Sequence, residues 1–415
     1  MRILLCAILL TISLAANSQD YFFGKYKPFN QEIPTPETFL GYPIGEQHTR
    51  HDMIVAYLEK LADLSDRATI TYYGKTYENR KLVILNISSR NHINNLSSLR
   101  EQHVAAIQPN SKSSSAELPL FINLAYNVHG NEPSSSEAAL LTAYTLVASE
   151  NKEILQMLDE TVVFVDPTIN PDGRDRHTQW ANSHKGNPVV DDPLDIEHSE
   201  KSPNGRTNHY NFDLNRDWWL AIHPESRGKL TWYHKWYPNV VTDFHEMGTN
   251  STYFFEPMKA IASKDPIMPK ENYTTLNESF ASQFAKDLDG IGSMYFTKEV
   301  FDGTYPGYGS SYPDLQGALA LLFEQASSRG HAQRQNTGER LTFAFTIRNQ
   351  YTSSFATIKA AIDNKQILQD YQKKFFQSAL TNAGASKTKA YVFGDPDDVS
   401  RTNAFIDKLL LHKIK

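Results

Sequence analysis

The chain has 415 residues, of which 40% are hydrophobic and 21% charged. That balance belongs to an ordinary folded protein and excludes a disordered one. A formal net charge of −6 gives nucleic acid no basic surface to bind, so it is not expected as a partner.

The chain opens with Arg2 followed by an almost unbroken apolar run over residues 3–16 and the small-residue step Ala16-Asn17-Ser18. The run is too short to span a bilayer comfortably. The pattern reads as an export signal at residues 1–18, cleaved before Gln19, which predicts a secreted or periplasmic protein with no membrane attachment after cleavage. The only cysteine, Cys6, leaves with that segment. The mature chain then has no thiol for a disulfide or a metal. Residues 19–45, rich in aromatics and prolines, predict an extended arm. Met53, Tyr57, Leu58, Leu61 and Leu64 fall on one helical face. Strands are predicted at 68–73 and 81–87, and surface helix and loop at 89–118.

From Leu118 strands alternate with helices: a strand at 119–126, a helix at 137–149 capped by the serines at 134–136, and a strand at 161–165. A polar loop follows at 182–212, then a helix at 218–237, strands at 239–244 and 318–323, and one or two closing helices at 350–378. This alternation predicts an α/β fold with a mixed, mostly parallel central sheet and helices on both faces. Residues 390–393 predict a further strand and 399–411 a further helix, a fragment that either docks on the main domain or begins another. Five Asn-X-Ser/Thr sequons occur, at Asn86, Asn95, Asn250, Asn272 and Asn277.

Chemistry concentrates where strands end. His129 and Glu132 stand three residues apart in a polar turn after an apolar strand, and His245 closes another apolar run. Two near ligands and one distant ligand form a three-residue zinc set whose fourth position stays open for water, a catalytic arrangement. Glu324 follows five apolar residues, 319–323. In open α/β sheets ligands collect beyond the carboxyl ends of the strands, where His129, His245 and Glu324 are expected. Glu246 is expected to be a pocket-wall residue at most, and Asp243 to stand clear of the metal.

These motifs resemble the funnelin-type zinc carboxypeptidases, the family of carboxypeptidase A, over roughly residues 46–345. The ordered elements are His129-Gly-Asn-Glu132, Asn170-Pro-Asp-Gly173, Asp213-Leu-Asn215-Arg216, Asp243-Phe-His245 and Phe323-Glu324. The resemblance implies a zinc carboxypeptidase-like domain at 46–382 flanked by the arm and by the fragment at 383–415. It implies one zinc ion on His129, Glu132 and His245, and Glu324 as general base. It implies Asn215 and Arg216 as holders of the substrate's terminal carboxylate, and a loop tyrosine closing over the substrate, for which Tyr305, Tyr308 and Tyr312 are candidates and Tyr305 is chosen. The family's Trp-Arg step is absent, because Ala181 follows Trp180. Either Arg174 or Arg176 is therefore expected to polarise the scissile carbonyl, or zinc and another donor hold the oxyanion. Ser310, Ser311 and Asp314 lie near the segment that shapes specificity in relatives. The implied substrates are peptide or protein C-termini, and a monomer is favoured. The alternatives are a zinc amidohydrolase acting on N-acyl amino acids or cell-wall peptides, and a catalytically weak peptide-binding homologue.

Overall fold

Seven strands make the central sheet: β1 (Ala68–Lys75), β2 (Lys81–Ile87), β3 (Leu120–Ala125), β4 (Thr161–Asp166), β5 (Val240–Met247), β6 (Tyr253–Phe255) and β7 (Leu319–Ala326). Their spatial order is β1-β2-β4-β3-β5-β7-β6. The inner four, β4, β3, β5 and β7, run parallel, while β1, β2 and β6 pair antiparallel at the two edges. A separate ribbon joins β8 (Ala332–Arg334) to β9 (Arg340–Thr342). The structure is a computed structural model that describes residues 21–259 and 268–414. The predicted export signal lies outside the described residues.

The period-2 geometry of a strand explains the layering. Leu120, Ile122 and Leu124 of β3 and Val163 and Val165 of β4 enter one core, whereas Phe121, Val162 and Phe164 enter the other. The first core is closed by the helices Ser134–Ala148 and Phe343–Asp363, the second by the helix Pro224–Trp236. Strands buried on both faces read as continuous apolar runs, as parallel central strands do. The predicted mixed, mostly parallel sheet is therefore the observed one.

Several local expectations change. The serines at 134–136 lie inside the helix Ser134–Ala148 and make no side-chain cap. Ser134 instead binds Glu246, through its backbone N–H at 2.7 Å and through its hydroxyl, and Ser136 donates to the Pro167 carbonyl at 2.7 Å. The helix expected from residue 218 begins at Pro224. Ahead of it the Asp217 carboxylate accepts the backbone N–H groups of Ile222 and His223, which holds residues 217–223 as a turn. Proline at a first helical position is pre-set for that start. Residues 390–393 form no strand, and Tyr391 and Val392 are 87% and 98% exposed, with no sheet edge to pair with. The helix Val399–Leu411 does dock on the main domain. Lys408 donates to the Ala221 carbonyl at 2.5 Å, and His412 meets Tyr312 Oη at 2.7 Å and the Trp219 carbonyl at 2.8 Å. Of the sequons, Asn86, Asn272 and Asn277 are buried.

The carboxyl ends of β3, β5 and β7 are bound together by three stacked rings. Tyr126, just past β3, stacks on Phe244 with ring centres 4.7 Å apart, and Phe244 stacks on Phe323 at 4.7 Å. This platform lies directly beneath the residues with chemistry.

Candidate functional site

The turn after β3 is built by Asn127. It takes a left-handed backbone (φ 57°), which asparagine tolerates better than most residues. Its side-chain amide donates to the carbonyls of His129 and Glu132, both at 2.9 Å. The position after His129 must be glycine, because a Cβ on Gly130 would fall inside the backbone of Gly173 and Arg174. The closed turn sends His129 and Glu132 the same way. His129 Nδ1 lies 2.9 Å from Glu132 Oε1. His245, from β5, brings its Nδ1 to 2.9 Å from Glu132 Oε2 and 3.2 Å from His129 Nδ1.

The outer nitrogens face carboxylates. His129 Nε2 meets Asp213 Oδ1 at 2.9 Å, and His245 Nε2 lies 2.8 Å from Asp243 Oδ1. Asn215 Nδ2 reaches both Asp243 Oδ2 at 3.2 Å and His245 Nε2 at 2.9 Å. Asp243, expected to stand clear of the metal, does so and instead supports the far side of the His245 ring. A cation on each Nδ1 needs the ring proton on Nε2, where a carboxylate waits to receive it.

The donor set fits zinc. Four ligands on a tetrahedral zinc ion with bonds of roughly 2.0–2.1 Å stand about 3.3 Å apart, close to the separations of 2.9–3.2 Å seen here. The cluster also calls for positive charge. Burial pushes the His245 imidazole down, yet Asp243 and Glu132 hold it well above its ordinary range. Burial pushes Glu132 up, yet His129 and His245 hold it well below the usual carboxylate range. A divalent cation answers that demand as protons do.

Pairing of β5 with β7 sets His245 beside Glu324 in register, so both side chains leave the same face of the sheet. Glu324 is half-buried at the wall of a cavity of about 790 Å³ that it shares with His129, Glu132, His245, Asn215, Arg206 and Arg216. Burial raises its carboxyl to about 8, with His245 pulling down and Glu132 and Asp243 pushing up. A cation on the cluster would draw it back toward neutrality and below. Glu246 also lines the cavity; its carboxylate accepts from the Ser134 and Ser327 hydroxyls, and its own backbone N–H donates to Glu132 Oε2 at 3.0 Å.

The arginines divide differently from expectation. Arg174 is fully buried, bonded to Glu137 Oε1 at 2.6 Å, the Pro133 carbonyl at 2.7 Å and the Thr49 carbonyl. Arg176 donates to the carbonyls of Asn204 and Asn208 at 2.6 and 3.3 Å. Neither lines the cavity. The helix Pro171–His184, capped by Asn170 and started by Pro171, turns both inward. Arg206 does line the cavity, 2.9 Å from Asp213 Oδ2 and 3.4 Å from Glu132 Oε1. Sequence reading passed over it; its one signal was an arginine in the polar loop just before Asp213-Leu-Asn-Arg. Asn215 and Arg216 do line the cavity, with Arg216 stacked over the Tyr308 ring at 4.6 Å. Tyr305 does not line it; its hydroxyl donates to the Arg216 carbonyl at 2.9 Å. Ser310 lines the cavity, whereas Ser311 and Asp314 are buried behind it.

The model of the family described as zinc carboxypeptidase matches residues 54–364. Carboxypeptidase D of Drosophila melanogaster is 26% identical over 189 residues, 45% of this chain and 11% of the relative. Carboxypeptidase E of Caenorhabditis elegans is 30% identical over 152 residues, 34% of this chain and 28% of the relative. The matches thus span under a third of those relatives' own lengths. Among solved structures, a metallo-carboxypeptidase from Burkholderia cenocepacia superposes with a TM-score of 0.51 at 16% identity, covering 75% of this chain and 69% of that one. The carboxypeptidase A of Helicoverpa armigera does so with a TM-score of 0.50 at 14% identity, covering 85% and 81%. At these identities the likeness is one of fold.

Two outcomes test this assignment of roles. Arg174→Met should lower unfolding free energy in denaturant titration by about 3–5 kcal/mol, because Glu137 is left buried without its partner. Arg206→Gln, at a half-exposed position, should change it by under about 1 kcal/mol. Equal losses would contradict the division between structural and cavity arginines. The second outcome concerns Asp314, which burial pushes up to about 7 against bonds from the Ala320 N–H and Asn272, and which influences the buried Glu256 carboxyl. The folded group keeps its proton where the unfolded one, near 3.8, has lost it. Its contribution to stability therefore falls as pH rises from about 4 to about 7. The Tm of Asp314→Asn should vary less than wild type across that window; an identical slope would contradict the burial argument.

Proposed function

Because the chain belongs to the zinc carboxypeptidase family, we propose that it removes residues from the C-termini of peptides, with His129, Glu132 and His245 holding one zinc ion. A zinc ion held there would supply Lewis-acid chemistry. The carboxylate of Glu324 takes a proton from the attacking water and hands it to the departing amine. The Arg206 guanidinium donates to the carbonyl oxygen as negative charge develops on it, a contribution commonly worth about 10²–10³ in rate. Arg216 forks onto the substrate's terminal carboxylate with two parallel hydrogen bonds, and Asn215 lies beside it. Tyr305, holding the Arg216 carbonyl, positions that residue. Tyr308 supports the guanidinium from its ring face.

The observation that carries this reading is the single cavity in which Glu324, Arg206 and Arg216 surround the His129–Glu132–His245 cluster. Arg206 also removes the main argument for a catalytically weak binder, which was the missing Trp-Arg step. The expected activity is stepwise loss of single C-terminal residues from a peptide library, stopped by chelator and restored by zinc. Glu324→Gln should reduce kcat by about 10²–10⁴. Peptides with amidated C-termini should be poor substrates; equal cleavage of amidated and free peptides would refute the anchoring role of Arg216 and favour another amide as substrate.

We also assign the protein to an extracytoplasmic compartment, from the charged and apolar character of residues 2–18. Among the described residues no helix is long and apolar enough to cross a membrane. Mass spectrometry of the exported protein should find Gln19 at its N-terminus, and retention of Met1 would contradict the assignment.

A further inference from the structure

A second set of metal-type donors meets away from the cavity. His48 precedes the helix His51–Leu64, Glu197 sits in the short helical turn Ile196–His198 of the long polar loop, and His331 stands directly before β8. One ligand atom from each lies within 4.8 Å of the other two. All three residues are buried, at 1%, 0% and 4% exposure, and none lines the cavity around Glu324.

Their hydrogen bonding is incomplete. Glu197 Oε1 receives both the backbone N–H and Nδ1 of His331 at 2.6 Å. Glu197 Oε2 and His331 Nε2 have no partner, and neither ring nitrogen of His48 has an aligned one, although the Gly330 carbonyl stands near. A buried group without a partner calls for an explanation, of which an ion is one, and here four ring and carboxylate atoms that could ligate one lie together. The rings are fixed in place. His48 stacks on Phe343 at 4.1 Å and meets His331 edge-on at 4.8 Å. His177 adds a further buried imidazole, 5.4 Å from His48, with Glu200 Oε2 at 3.4 Å from its Nδ1. Position 330 is glycine because a Cβ there would collide with the Glu197 carboxylate.

Two imidazoles and one carboxylate suit a borderline divalent cation, and zinc above all; magnesium and calcium prefer oxygen donors throughout. Ligands that are all buried and stand apart from the cavity around Glu324 describe a structural site rather than a catalytic one. We propose that His48, Glu197 and His331 form a second, structural zinc site, with His177 as a further imidazole beside it. The site fastens the loop at 185–212 to the connection between β7 and β8 and to the segment ahead of the first long helix. That loop leads to Arg206 and Asp213, so the buried ion braces the segment that furnishes the cavity without touching substrate.

The test counts metal. Chelator-stripped protein is dialysed against Zn²⁺, and bound ions are measured by mass spectrometry for wild type, His245→Ala, Glu197→Gln and His331→Gln. Two ions in the wild type and one in each variant are expected. A wild-type count of one that falls to zero in His245→Ala overturns the proposal. So does a count left unchanged by both Glu197→Gln and His331→Gln. The wild type and His245→Ala decide the matter even if the variants of the buried cluster do not fold. Failure of the first site has a different signature: one ion in the wild type, kept in His245→Ala and lost in Glu197→Gln, would sink that site and uphold this one.

Discussion

Asp213 decides which nitrogen of His129 faces the cation position. By accepting the Nε2 proton it leaves the lone pair of Nδ1 directed at Glu132 and His245. The same carboxylate binds Arg206 at 2.9 Å and accepts the backbone N–H of Asn215 at 2.9 Å. One side chain therefore orders a metal ligand, the arginine at the cavity wall and the start of the Asn215-Arg216 pair. Burial pushes Asp213 up, but His129, Arg206 and Arg216 hold it well below the usual carboxylate range, so it stays charged. Asp243 stands in the same relation to His245.

That constraint works only because the sheet delivers its parts in register. His245 pairs with Glu324 across β5 and β7, and a slip of one residue would put the two side chains on opposite faces. The stack of Tyr126, Phe244 and Phe323 resists such a slip from the core side. The loop supplying Arg206 has no sheet to hold it. It is held instead by Asn170 on the Arg206 carbonyl at 3.2 Å, Arg176 on the Asn204 carbonyl, and Glu200 on the Gly205 N–H at 2.7 Å. The buried His48–Glu197–His331 cluster lies at the other end of the same loop.

What could be read from the sequence was what local spacing encodes. Apolar runs bounded by polar turns marked the strands, and His129 with Glu132, His245 and Glu324 each sit where such a run ends, so their convergence followed from the sheet itself. Arg174 misled because its exposure depends on the phase of a helix started by Asn170 and Pro171, which aims the guanidinium at Glu137. Arg206 stayed hidden because the path of its loop is set by bonds to residues distant in sequence. The serines at 134–136 looked like a cap but answer Glu246 and Pro167 across the fold. His48, Glu197 and His331 carry no shared local pattern, and only the folded chain brings them together. The strand expected at 390–393 had the right residues but no neighbouring edge.

The central claim is that His129, Glu132 and His245 enclose one point in space at which a zinc ion is held. Anomalous diffraction at the zinc edge from crystals of the zinc-loaded protein tests it most directly. A peak within about 2.0–2.2 Å of both Nδ1 atoms and a Glu132 oxygen is the predicted result. Density showing those three side chains with no peak between them, under saturating zinc, would contradict the account.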